Sequence, residues 1–70
     1  HASPRAKMLK IADKTSNLRS ILASPPKDWS DERKREYFEW AARVVVKCRG
    51  VNQWLEAQFN AAFSRRDEIA

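Results

Sequence analysis

The stretch "SDERKREYFEWAARVVVKCRG" (residues 30–50) carries the clearest periodicity in the chain. Apolar or small residues stand at 37, 40, 41, 44, 45 and 48, close to the 3.6-residue repeat of an α-helix with one buried face. Ser30 is a good N-cap, and Asp31 and Glu32 follow it in the first turn, where the helix dipole favours negative charge. Lys47, Arg49 and Gly50 close the pattern with the basic residues and glycine typical of a C-terminus. A helix over 31–49 is expected.

Outward from it, two more helices can be read. Ser3-Pro4 is a cap followed by proline at the first helical position. Apolar or small residues then recur at 8, 11, 12, 15, 18 and 22, and Met8, Ile11, Leu18 and Leu22 should be buried. Pro25 and Pro26 disfavour helix just before them, so the first helix should span 4–23. Downstream, Asn52 can cap a helix over 53–65, with Leu55, Phe59, Ala62 and Phe63 on one face and fraying after Arg65. No segment alternates with period two. The fold class is all-α, three helices with short connections.

Seventy residues make one small domain, which buries only ~60% of its unfolded surface. No apolar run approaches the ~20 residues a bilayer requires, and the N-terminus lacks the apolar core of a signal peptide. Membrane partners are therefore not expected. The single cysteine, Cys48, cannot form an internal disulfide, which suits a reducing, cytoplasmic setting. The net charge of +5 allows phosphates, nucleic acid or an acidic partner. The cations are spread over residues 5–19, 27–35, 43–49 and 65–66, and no helix shows the one-faced cluster that groove reading of DNA needs. The chain begins at His1 rather than Met, so a piece of a longer protein is expected.

Catalytic and metal spacings are sparse. There is no HExxH and no Cys-x-x-Cys. His1 reads as a boundary residue and Cys48, on an apolar stripe, as core. The one glycine ends a helix, so no phosphate-cradling loop exists. What stands out is Asp13 with Asn17, mediocre helix formers one turn apart on one face. Among Lys10 and Lys14 they can be a solvated face with a weak ion pair.

The segments "K-x-A-D-K-x-x-N-L-R" (10–19), "E-Y-F-E-W-A" (36–41) and "R-G-V-N" (49–52) keep an order and spacing that resemble the C-terminal part of the HD-domain phosphohydrolases of the RelA/SpoT group. These enzymes hydrolyse the alarmone (p)ppGpp, and the small stand-alone hydrolases, including the metazoan SpoT-like ones, look most similar.

That resemblance implies a three-helix portion of an HD-type helical bundle. It implies that Asp13 is a ligand of a divalent metal, usually manganese, which activates water for attack on the 3′-pyrophosphate of ppGpp. It places Asn17 at the nucleotide end of the pocket and Tyr37 in its lining, although Tyr37 also lies on the apolar stripe of its helix. The remaining ligands, a histidine and a His-Asp pair, and the Glu-Asp residues that assist the water lie upstream in the family and are not in these 70 residues. The chain alone should neither hold manganese nor hydrolyse ppGpp, since such sites need several convergent ligands. The alternatives are a small basic three-helix module for nucleic acid, or a protein adaptor anchored by exposed tryptophans. Met8, Ile11, Leu18, Tyr37, Trp40, Val44, Val45 and Phe59 look too many for three short helices to shield. Self-association through the first two helices, or binding to an N-terminal half, is the expected consequence.

Overall fold

In a computed structural model that describes residues 3–69, three α-helices and a closing 3₁₀ turn account for most of the chain. His1 lies outside the described residues. Helix α1 spans Pro4–Ala23; the Ser3 hydroxyl accepts the Ala6 N–H at 3.1 Å, and the Ser24 N–H ends the helix on the Ser20 carbonyl. Helix α2 spans Asp31–Val46 and is capped by Ser30, which accepts the Arg33 N–H at 3.1 Å. Helix α3 spans Gln53–Ser64 and is capped by Asn52, which accepts the Leu55 N–H at 3.0 Å. The Asn52 amide also reaches the Met8 sulfur at 3.7 Å, tying the start of α3 to α1. All three caps read from the sequence form, and the described residues contain no strand.

Two ends differ from the expected spans. Helix α2 stops at Val46 instead of 49, because the Lys47 and Cys48 N–H groups bond three residues back, to Val44 and Val45, and tighten the last turn. The chain then reverses at Gly50, whose φ of +91° only glycine adopts without strain. After α3 the chain does not fray past Arg65. Arg66–Ile69 forms a 3₁₀ turn that packs back towards all three helices. Arg65 grips the exposed Glu68 through two parallel N–H···O bonds of 2.9 Å, which hold the Glu68 carboxyl below its usual range.

Helix α1 is the element on which both others pack. Ile11, Leu18 and Ile21 of α1, Phe38, Ala41 and Val45 of α2 and Phe59 and Ala62 of α3 form one buried cluster together with Cys48. Phe63 bridges α2 and α3, 6.4 Å from Phe38 and 6.0 Å from Phe59 between ring centres. Thr15 is the buried polar residue of the core, and its hydroxyl donates to the Ile11 carbonyl at 2.8 Å.

The stripes are rotated from the sequence reading. On α1, Ile21 is buried and Leu22 only half-buried, while Ala12 faces solvent and Met8 is half-buried. On α2 the buried set is 38, 41, 45 and 48, one residue round from 37, 40 and 44. The apolar arc of α2 is wider than its neighbours can cover, and the half that turns inward is the one carrying Phe38, fully buried and 6.4 Å from the Phe63 ring of α3. Ile11, Leu18, Val45 and Phe59 are thus fully buried, contrary to the expectation that the helices could not shield them. Tyr37 and Val44 stay half-buried, and Trp40 is exposed.

Removing the keystone ring should therefore be severe. Phe38→Ala is expected to cost ~3–5 kcal/mol, a large share of the roughly 4–10 kcal/mol available to a domain this small. Trp54→Ala, at a site 67% exposed, should change urea stability little.

Candidate functional site

The polar face of α1 carries the candidate ligands. Asp13 is 63% exposed, and its carboxylate accepts from Lys14 Nζ at 3.3 Å. Lys14 itself is only 15% exposed in its side chain, and its ammonium sits 4.5 Å above the Trp40 ring of α2. Trp40 in turn tilts against Tyr37 at 5.6 Å, and Tyr37 against Trp29 at 5.8 Å, between ring centres. Arg33 closes the row, its guanidinium 4.5 Å over Trp29. Asp13 and Tyr37, far apart in sequence, are therefore joined through Lys14 and Trp40 along one side of the molecule.

Asn17 lies one turn along α1 from Asp13, half-buried and outside that row. No side-chain hydrogen bond joins Asn17 or Tyr37 to another described residue, and no buried polar atom is left unpaired. The Asn17 amide and the Tyr37 hydroxyl thus present their polar ends to solvent, where a ligand could take them.

Two grooves run on this side. One, of about 490 Å³, is lined by Trp29, Arg33, Glu36, Tyr37, Trp40 and Arg43. The other, of about 820 Å³, lies between α1 and α2. Trp40 and Arg43 form the wall they share. Trp29 and Arg33 were not singled out from the sequence, Lys14 was read only as an ion partner of Asp13, and Trp40 only as part of the apolar stripe. The signal for Lys14 was its place directly after Asp13; for Trp40, the excess width of the apolar arc.

Asp13 offers one hard carboxylate, chemically suited to a divalent cation. It is a single donor: among the described residues no three His, Cys, Asp or Glu side chains come together as a metal site. The donor set of the described residues does not by itself fit a bound catalytic metal. Cys48 is buried, its thiol donating weakly to the Val44 carbonyl at 3.6 Å, as a core residue would.

Over 66 residues, 94% of the chain, it is 48% identical to guanosine-3′,5′-bis(diphosphate) 3′-pyrophosphohydrolase MESH1 of Mus musculus and 47% identical to that of Homo sapiens. The Drosophila melanogaster protein of the same name is 43% identical over 65 residues. The chain is homologous to the C-terminal part of these pyrophosphohydrolases. It spans 37% of the length of the mouse and human MESH1 proteins. No family model and no solved structure matches it. The homology to MESH1 is carried by a chain whose polar α1 face and aromatic row are both open to solvent.

Because Asp13 bears little of the fold, Asp13→Asn should leave stability within ~0.5 kcal/mol. Lys14→Ala should cost ~0.5–2 kcal/mol through the lost packing on Trp40. Chemical denaturation of both variants checks the difference; equal losses would show that Lys14 does not bridge the two helices.

Proposed function

We propose that this chain is the C-terminal part of an HD-type, metal-dependent ppGpp 3′-pyrophosphohydrolase acting in the cytoplasm. The reaction is hydrolysis of the 3′-pyrophosphate: water adds to phosphorus, the bond to the 3′ oxygen breaks, and GDP and pyrophosphate leave. The observation that carries the reading is the exposed Asp13 carboxylate beside a solvent-open aromatic row, in a chain aligned with such hydrolases over 94% of its length. No helix among the described residues is long and apolar enough to cross a membrane.

Each residue has a distinct part in this reading. Asp13 supplies one ligand to a divalent ion, manganese in the family it resembles, whose other ligands come from outside these 70 residues. When bound, such an ion lowers the pKa of its water. The α1 backbone fixes where the Asp13 carboxylate points, since a helix holds a ligand more precisely than a loop. Asn17 hydrogen-bonds the nucleotide. Tyr37, braced by Trp29 and Trp40, offers a ring face to the base and a hydroxyl to a polar group. Arg33, over Trp29, adds positive charge at the same end.

Pyrophosphate release by the full-length protein with manganese tests this. Asp13→Ala should lower kcat/KM by roughly a thousandfold, the equivalent of the several kcal/mol a metal ion contributes. Asn17→Ala should act mainly on KM, by about tenfold for one lost hydrogen bond. The 70-residue chain alone should show no turnover. Metal-dependent hydrolysis by the short chain, or full activity of the Asp13→Ala protein, would refute the assignment.

A further inference from the structure

Two serines of this chain stand directly before a proline, Ser3 before Pro4 and Ser24 before Pro25. The fold treats them in opposite ways. Ser3 caps α1: its hydroxyl accepts the Ala6 N–H, and Pro4 is already the first residue of the helix. Ser24 lies past the other end of α1, exposed, with φ −147° and ψ 81°. The hydroxyls of Thr15, Ser30 and Ser64 are taken up by backbone groups, whereas that of Ser24 bonds no described residue.

The residues after Ser24 are held open by their own chemistry. Pro25 and Pro26 have a fixed φ and no N–H, and each restrains the residue before it to extended backbone. A turn begins only at Pro26, whose carbonyl accepts the Trp29 N–H at 3.2 Å. Lys27, exposed, stands three residues after Ser24. An extended chain, a proline directly after the serine and a cation three residues on are what the cleft of a proline-directed serine/threonine kinase reads. Proline there leaves no N–H unpaired in the cleft, and the lysine meets an acidic pocket.

We propose that Ser24 is a phosphorylation site for such a kinase, and that its phosphate loosens the last turn of α1. In the transfer, Ser24 Oγ bonds to the γ-phosphorus of ATP, the bond from that phosphorus to the oxygen of the departing ADP breaks, and the hydroxyl proton passes to the kinase's catalytic carboxylate. The phosphoserine carries about −1.5 to −2 charges at pH 7. It stands at the negative end of the α1 dipole, and the last turn of α1 has no basic residue to offset it. That turn closes through the Ser24 N–H on the Ser20 carbonyl at 2.9 Å, and it contains Ile21 of the buried cluster. At Ser3 a phosphate would meet the favourable end of the same dipole, but the helix starts at once and denies a kinase the extended residues it needs. The inference does not depend on the hydrolase reading.

Treatment of the full-length protein with a purified cyclin-dependent kinase and ATP, followed by tandem mass spectrometry, tests the site. Phosphate is expected on Ser24 and not on Ser3. Ser24→Ala should remove it and Ser24→Thr should keep it, which separates loss of the acceptor from loss of the fold. Lys27→Glu should lower the initial rate at least about fivefold, by setting like charges against each other. On phosphorylation, hydrogen exchange of the residue-24 amide should speed up about two- to fivefold, as expected for one charge at a helix end. No phosphate on Ser24, phosphate on Ser3 in its place, phosphate on Ser24 only after unfolding in urea, or an undiminished rate with Lys27→Glu would overturn the site. Unchanged exchange at residue 24 would overturn the effect on α1.

Discussion

Everything in this molecule depends on α1 being packed from two sides at once. Ile11 and Leu18 are fully buried in a single cluster that α1 forms with both α2 and α3, so the two pairings are coupled. The demand on α1 is a broad apolar arc, and the helix meets it with side chains at 11, 15, 18 and 21. Thr15 is tolerated within that arc because its hydroxyl turns back onto the Ile11 carbonyl. The remaining sector of the cylinder cannot touch either neighbour. Asp13 occupies that sector, with Asn17 at its half-buried border, which resolves why a core helix carries such poor helix formers: they cost little where nothing packs, and they are held by a helix that cannot move.

A second constraint comes from α2. Its apolar arc is wider than the contact surface available, so one edge must stay outside the core. Burying Phe38 leaves Tyr37, Trp40 and Val44 on that edge, beside the lysines of α1. Lys14 then becomes the joint between the polar face of α1 and the aromatic row. Its ammonium lies between the Asp13 carboxylate and the Trp40 ring, and its stem is covered. An exposed ion pair alone would contribute little. Combined with the ring face and the covered stem, the same pair limits the rotamers open to both Lys14 and Trp40.

The sequence made the helices and their starts legible because capping is local chemistry. Ser3 with Pro4, Ser30 with Asp31 and Glu32, and Asn52 each act within four residues. The ends were less legible. The tight turn at Lys47 and Cys48 and the Arg66–Ile69 turn depend on what the chain does next in space. Rotation about each helix axis was less legible still. Periodicity gives the width of an apolar arc but not which part of it a neighbour will cover, so 37, 40 and 44 were read as core in place of 38. The larger groove was hidden for a related reason: Lys10 and Lys47 line it together only when α1 and α2 pack side by side. Asp13 and Asn17 stood out because they break a pattern, and Tyr37 was read through family resemblance; the Lys14 ion pair with Asp13 was legible from their adjacency, but the seat of its ammonium over Trp40 was not.

The residues that hold this fold and the residues suited to chemistry form nearly disjoint sets. Phe38, Phe59, Ile11, Leu18 and Val45 are fully buried, whereas Asp13, Asn17, Tyr37 and Trp40 are not. A domain of this size has little stability to spare, so a polar group buried for function without a partner would endanger it. Placing the carboxylate and the aromatic row on the uncovered side avoids that cost. It also leaves their environment unfinished. A carboxylate in water binds a divalent ion weakly, and an indole in water is half wetted; both acquire functional strength only when another surface excludes solvent. The geometry of α1 and α2 therefore fixes the direction of Asp13 and the aromatic row, while the proposed hydrolase site would draw its dryness and its additional donors from outside these 70 residues.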